Sequence, residues 1–388
     1  MLNLIKNLFR PQREFQGLFF SRPLVMLHSD DWGRVGVRDR EGLEQLRAGG
    51  LRLGEHPYDL YTLETAEDVA ALTALLGRHH DSTGRAPCVV TNFCSANLHF
   101  PAMRKAGFRQ CQLLPLAQGL PGSWSRPGLF EAYKDSASRG LFYPGLHGTT
   151  HFCPLAVNNA LAEGGERAAL LRLLWSAETP YIYWRMPWIG YEYWNPTRPE
   201  AGFLPLEAQR SLVRQACDNL TALFAARPLS ACAPGWRANR DTHRAWAEAG
   251  IRVVENGSDS GLRPPHVDHF GLLHLYRTID LEPSQREMDI AKYLQIAEAC
   301  FTRGYPLVVS IHSINFHSTL KDFRTPSLAA LDLLLTALEA KYPELLYVHD
   351  EDLYKIVTRG AFDSRMAQVT VPVHLHECSS VISCQEVG

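Results

Sequence analysis

Leu24-Val25-Met26-Leu27 sets four apolar residues in a row just ahead of two adjacent carboxylates, Asp30 and Asp31. So short a run, bounded by Pro23 and by Trp32-Gly33, fits a strand covered on both faces, as in a parallel sheet packed against helices. The ends of such strands are where open and closed α/β sheets keep their chemistry. Side chains alternate along extended chain, so Asp30 and Asp31 are expected to point in different directions while staying a few Å apart. One is then placed to bind a cation and the other to take a proton. A lone Asp-Asp more often serves as a polar turn closing a strand, so other residues must decide.

Strand and helix signals alternate along the rest of the chain. Apolar residues at helical spacing cover 35–51, 64–79, 130–139, 163–176, 206–226, 241–250, 288–303 and 327–341. Short apolar runs at 87–92, 141–146, 229–233, 251–255, 272–275, 306–311 and 346–348 read as strands between them. The alternation shows no 20 to 50 residue repeat, which argues for one parallel α/β barrel in a single domain. A 388-residue chain that is 46% apolar can fill such a core. We place an N-terminal segment at 1–20, the barrel at 21–360 and a peripheral tail at 361–388. The first segment mixes Leu, Ile and Phe with Lys6, Arg10 and Arg13, which fits a short amphipathic helix able to touch a membrane surface. An aromatic-rich insertion spans about 175–200. There Tyr181, Tyr183, Trp184, Trp188, Tyr191 and Tyr193 fit either strand packing or a wall of flat rings suited to sugars.

Composition excludes several partners. A net charge of −2 offers no global attraction to nucleic acid or anionic lipid. No stretch has the length of a membrane span, and the first residues lack the pattern of a secretory signal. Nine cysteines, an odd number without paired spacing, suit free thiols and a cytoplasmic setting. The oligomeric state is not encoded in any of these features.

His147-Gly-Thr-Thr-His151 is the chain's one H-x-x-x-H pair. Sixteen histidines in 388 residues give about 0.7 such pairs by chance, so the spacing alone is weak evidence for metal ligands. Its position strengthens it, because an apolar strand ends just before His147, as one does before Asp30. A third strand end supplies His312, and a fourth leads into Pro234-Gly-Trp236-Arg237. Each has a bland explanation by itself; four strand ends carrying carboxylates, imidazoles, Trp and Arg are hard to assign jointly to packing.

As an ordered set these pieces resemble the polysaccharide deacetylase family, metal-dependent carbohydrate esterases of family 4. Ser29-Asp30-Asp31-Trp32-Gly33 stands where the family carries Thr-Phe-Asp-Asp-Gly. His147-Gly-Thr-Thr-His151 matches its His-Ser/Thr-x-x-His, and Ile311-His312 resembles its late Leu-x-His. The likeness runs from about 24 to 357 and implies a distorted (β/α) barrel of about seven strands, of the glycoside hydrolase and deacetylase kind. It implies Asp31, His147 and His151 as ligands of a divalent ion, Asp30 as general base and His312 as general acid. Such nitrogen and oxygen donors suit Zn²⁺ first, with Co²⁺, Ni²⁺ or Mn²⁺ as alternatives.

The chain departs from the family in two places. No arginine lies near Cys232, where the family's orienting arginine is expected, and Arg237 is taken as its replacement. The residue that orients the acid histidine is represented by Asp280 or Glu282. Trp32, Trp236, Trp184 and Trp188 complete the expected substrate-binding or orienting set. The motifs around Trp32, Trp236 and His312 resemble the divergent branch associated with bacterial surface-polysaccharide assembly. The implied activity is removal of an acetyl group from an N- or O-acetylated sugar, glycan or lipid-linked precursor. The alternatives are a catalytically silent glycan-binding barrel and a hydrolase of a non-sugar amide. A glycosidase ranks lowest, since adjacent carboxylates do not flank a sugar ring.

Overall fold

The computed structural model describes residues 12–197, 202–257, 261–364 and 367–381. Its strands, in chain order, begin with β1 (Gln12–Phe20), β2 (Leu24–Trp32), β3 (Val89–Phe93), the β4–β5 hairpin (Ala96–Leu98, Leu113–Pro115) and β6 (Phe142–Leu146). There follow β7 (Ser230–Cys232), β8 (Val253–Asn256), β9 (His266–Val267), β10 (Leu273–Tyr276), β11 (Ile279–Asp280) and β12 (Leu307–His312). The chain closes with β13 (Leu346–Tyr347), the β14–β15 hairpin (Ala361–Asp363, Gln368–Thr370) and β16 (Val373–Val381).

β12, β2, β3, β6, β7 and β8 stand side by side in that order, all parallel. β10 then runs parallel to β8, while β11, just beyond it in the same stretch, runs parallel to β12. Between them the Arg277 amide donates to Asn256 and the Thr278 amide to Val308. Residues 273–280 therefore border both ends of the sheet, which curls into the expected distorted (β/α) barrel with seven strand positions. The distortion is greatest between β6 and β7, which share one paired position, Leu146 with Ala231.

Alternation along β2 sorts the core into two layers. Val25 and Leu27 face outward, into the large cluster shared with Leu72, Leu331 and Leu335 of the surrounding helices. Leu24 and Met26 face the barrel interior with Val253, Leu273, Leu275 and Val308. The register carries this inward column upward. Val308 lies opposite Met26, Ser310 opposite His28 and His312 opposite Asp30. The interior is thus apolar at its base and charged at the C-terminal ends of the strands. The helices supply the outer wall: in Leu206–Phe224 the buried Val213, Ala216, Cys217, Leu220 and Leu223 recur at spacings of three and four.

Three expectations change. Residues 12–20 form strand β1 rather than an amphipathic helix, with Leu18 and Phe20 buried at a period of two; residues 1–11 lie outside the described residues. β1 pairs antiparallel with β16 along its whole length, so the expected tail contributes a strand and the β14–β15 hairpin, and Leu18, Phe20, Phe362 and Val371 seal the barrel base. The helix expected over 35–51 is confined to Arg40–Ala48, capped by the Asp39 carboxylate, because the chain before it is tied elsewhere, the Val37 amide donating to the Tyr61 carbonyl at 2.8 Å. The helix Pro154–Glu163 was not anticipated, since its buried face is mostly small residues, Ala156, Val157, Ala160 and Leu161. Among the described residues no helix is long and apolar enough to cross a membrane.

Candidate active site

A bulge aims the two carboxylates. The register between β2 and β3 shifts between Ser29 and Trp32, and Asp31 sits at φ +73°, in the left-handed region that is uncommon for non-glycine residues but that Asp tolerates. The expected divergence of Asp30 and Asp31 is cancelled by this turn of the backbone. Both line one cavity of about 290 Å³ at the C-terminal mouth of the barrel, together with His147, His151 and His312.

Asp31, His147 and His151 converge. The Nε2 atoms lie 3.7 Å (His147) and 3.5 Å (His151) from Asp31 Oδ1. The His147 Nδ1 lies 2.9 Å from the Cys232 carbonyl, which can only accept, so Nδ1 carries a proton and Nε2 is the nitrogen turned to the carboxylate. Asp31 Oδ1 is buried without a hydrogen-bond partner, while Oδ2 takes the Arg34 guanidinium at 3.1 Å. Burial pushes the Asp31 carboxyl up, yet the Arg34 guanidinium beside it outweighs that and holds it at about 2. Burial, with Arg34 and His147 adding to it, holds His151 down at about 3 against the pull of Asp31, so its ring is neutral. An orphaned anionic oxygen facing imidazole nitrogens is an arrangement that a divalent cation satisfies, and the donor set fits one.

The two histidines come from a loop, not a helical turn. Gly148 takes φ +78°, and the Thr149 amide donates to both oxygens of buried Glu192, at 2.8 and 2.9 Å. Burial pushes the Glu192 carboxyl up to about 8. A Cβ at Gly148 would fall 1.7 Å from Glu192 Oε2. Gly148→Ala is therefore expected to displace both imidazoles and weaken metal binding by about 10- to 100-fold, measurable by competition with a chromogenic chelator. Undiminished affinity would mean that the loop does not hold the site.

Asp30 is held by an arginine that sequence reasoning did not select. Arg277 grips both Asp30 oxygens at 2.6 Å, and Asn92 adds a bond of 2.9 Å to Oδ1. Burial drives the Asp30 carboxyl up, but Arg277, with help from His147 and His312, holds it well below the usual carboxylate range. Arg237, the expected substitute, instead lies over the Trp194 ring at 5.3 Å and does not line the cavity. Its place in the sequence beside Trp236 is not a place beside Asp30. Arg277 was legible in principle: it follows the apolar run Leu272–Leu275, the same strand-end position that marked Asp30, His147 and His312.

His312 Nε2 lies 3.9 Å from Asp30 Oδ2, and its Nδ1 lies 2.6 Å from Glu282. Of the two acids named for this place, Glu282 makes the contact. Asp280 pairs within the sheet opposite Ser310 and does not line the cavity. Burial alone lowers the His312 pKa, but Glu282, then Asp30 and Asp31, raise it to about 9.

The aromatic residues divide. Trp184 and Trp236 line the cavity with Tyr58, Tyr183 and Tyr191. Trp184 also donates to Asp59 at 2.9 Å and packs on His56. Trp188 packs against the outer core beneath the Arg167 guanidinium, away from the mouth. Trp32 is fully buried among Phe93, Tyr133 and Phe142, with its Nε1 donating to Ser29, so it is core and not a substrate contact. The segment 181–189 forms two 3₁₀ turns rather than a strand. Residues 198–200 of the insertion lie outside the described residues.

No family profile and no curated protein matches the chain in sequence. It is similar to a solved Mycobacterium smegmatis protein described as a polysaccharide deacetylase, at 14% identity and a TM-score of 0.46 over 87% of this chain and 90% of that one. A Pseudomonas aeruginosa protein described in the same way shows 13% identity and a TM-score of 0.45 over 87% and 92%. An allantoinase shows 12% identity and a TM-score of 0.45 over the same shares, 87% and 92%.

Proposed function

We propose that the barrel, residues 21–360, is a metal-dependent hydrolase that removes an acetyl group from an N- or O-acetylated sugar, glycan or lipid-linked precursor. The observation that carries this reading is the unpartnered Asp31 oxygen facing two imidazole nitrogens, with an arginine-held carboxylate and a carboxylate-held imidazole alongside. Asp31, His147 and His151 would hold the ion, Zn²⁺ by preference, and Co²⁺, Ni²⁺ or Mn²⁺ would suit the same donors. Bound there, it would supply Lewis acidity toward an acyl carbonyl and toward water.

The chain's own groups do the rest. Asp30, ionised by Arg277, takes the proton of the attacking water. His312, charged by Glu282, donates a proton to the leaving nitrogen or oxygen. Their 3.9 Å separation lets both act on one small reacting centre. Tyr58, Tyr183, Trp184, Tyr191 and Trp236 offer flat faces for a sugar ring. An arginine on Asp30, here Arg277, favours hydrolysis over a catalytically silent glycan-binding barrel. Thiols at Cys94, Cys111, Cys153, Cys217, Cys232 and Cys300 favour a cytoplasmic setting.

The test pairs elemental analysis of purified protein with a screen for acetate release over N- and O-acetylated sugars. One equivalent of metal, lost in Asp31→Asn together with acetate release, is the expected result. Full turnover by metal-stripped protein would sink the reading.

The pH profile checks the acid. His312 must be protonated to donate, so activity is expected to fall as pH rises through about 9. Glu282→Gln removes the charge that raises this pKa, and the basic limb should move down by at least about one pH unit. A limb that stays in place would assign the proton to another group.

A further inference from the structure

Below Asp30 the barrel interior carries a column of charge. Arg277 Nη2, besides gripping Asp30, lies 2.9 Å from Glu255 Oε2, and Asn92 donates to that same oxygen at 2.9 Å. Glu255 Oε2 in turn lies 2.8 Å from His28 Nδ1, and His28 Nε2 lies 2.9 Å from Asp350 Oδ1. His28, Glu255, Asp350, Arg277 and Asp30 are all 2% exposed or less.

The chemistry of the ring limits what this contact can be. A neutral imidazole has one N–H and one lone pair, and a carboxylate can only accept. Nε2 makes the hydrogen bond to Asp350, and a bare Nδ1 lone pair 2.8 Å from the Glu255 carboxylate would be repelled by it, so between two ionised carboxylates the ring carries two N–H groups, that is, an imidazolium. Burial opposes the charge, but Glu255 and Asp350 outweigh it and raise the His28 pKa to about 10.

That cation bears on the site through Arg277. One guanidinium between two buried carboxylates is divided between them. If Glu255 had no other cation, it would draw Arg277 toward itself and leave Asp30 partly uncompensated. With His28 neutralising Glu255 from the far side, Arg277 is left to close on Asp30. Resting on the hydrolase reading for its consequence, we propose that His28, charged between Glu255 and Asp350, is a positioning residue that locks Arg277 onto Asp30 through Glu255.

The test follows proton exchange at the Arg277 guanidinium by NMR, with 4-nitrophenyl acetate as the probe of turnover. In His28→Gln the Arg277 protons should exchange at least about tenfold faster, because the guanidinium is released from its fixed pair. kcat should fall about 10- to 100-fold at unchanged KM and unchanged metal content, as when a residue that orients a reacting group is removed. Glu255→Gln removes the competing carboxylate while keeping the volume, so there Arg277 should stay on Asp30 with exchange no faster than in wild type, and this arm stands even if His28→Gln does not fold. Equal exchange rates in His28→Gln and wild type, or faster exchange in Glu255→Gln, would overturn the inference. So would a lower melting temperature with unchanged kcat, which would leave His28 a structural charge. A wild type that releases no acid from the probe or from any acetylated sugar counts against the hydrolase reading alone, and the exchange rates still decide the role of His28.

Discussion

Arg277→Leu is expected to destabilise the fold by about 3–5 kcal/mol, because removing one partner of a buried pair leaves the other charge unpaired. Here Asp30 loses both guanidinium contacts at 2.6 Å and is left without a close counter-ion, while Glu255 loses one contact at 2.9 Å and keeps His28 at 2.8 Å. Against a typical domain stability of about 5–15 kcal/mol this is a large fraction, so a urea midpoint shifted by a molar or more is the sign to look for. Arg277→Lys keeps the charge but not the fork that closes on both Asp30 oxygens, and it should fold better than the leucine variant while recovering little activity. Arg237→Ala is the control. Its guanidinium only overlies Trp194, and the change should stay within about 1 kcal/mol. Equal effects at the two arginines would show that the buried pair does not carry the barrel interior.

Asp30→Asn should reduce kcat for acetate release by about 10²- to 10⁴-fold, the range that a positioned proton acceptor contributes. KM and bound metal should change little, because Asp31, His147 and His151 are left intact and the substituted amide retains an acceptor oxygen for Arg277. Asp31→Asn should differ in kind, losing the metal first and activity as a result. The pair of variants separates base from ligand, which adjacency in sequence cannot do. Should Asp30→Asn lose metal and Asp31→Asn keep it, the two roles are exchanged.

The place of these neighbours at the barrel mouth was legible because a short apolar run followed by carboxylates has few structural meanings, while their division into ligand and base is what the family resemblance implies. The same logic, strand end by strand end, found His147 and His312. It stopped short of Arg277, which lies at the end of a fifth such run, and of His28, which lies inside a run and reads as a core residue until Glu255 and Asp350 are seen on either side of it. Trp32 went the other way: next to the carboxylates in sequence, it turns into the outer core because the Asp31 bulge shifts the alternation at that point. Arg237 and Asp280 fail for a similar reason, since closeness along the chain says little about which way a side chain leaves a loop or an edge.

Sequence alone determined the barrel and the residue types at its mouth. Both follow from local periodicity and from where apolar runs stop, and local spacing survives folding. Only the tertiary structure decided the partners: Arg277 with Asp30, Glu282 with His312, Glu192 beneath the histidine loop, and β1 with β16 across the whole length of the chain. Those pairings are set by sheet register and barrel closure, which bring together residues from 30 to more than 300 positions apart, and no local pattern encodes which distant charge will stand opposite.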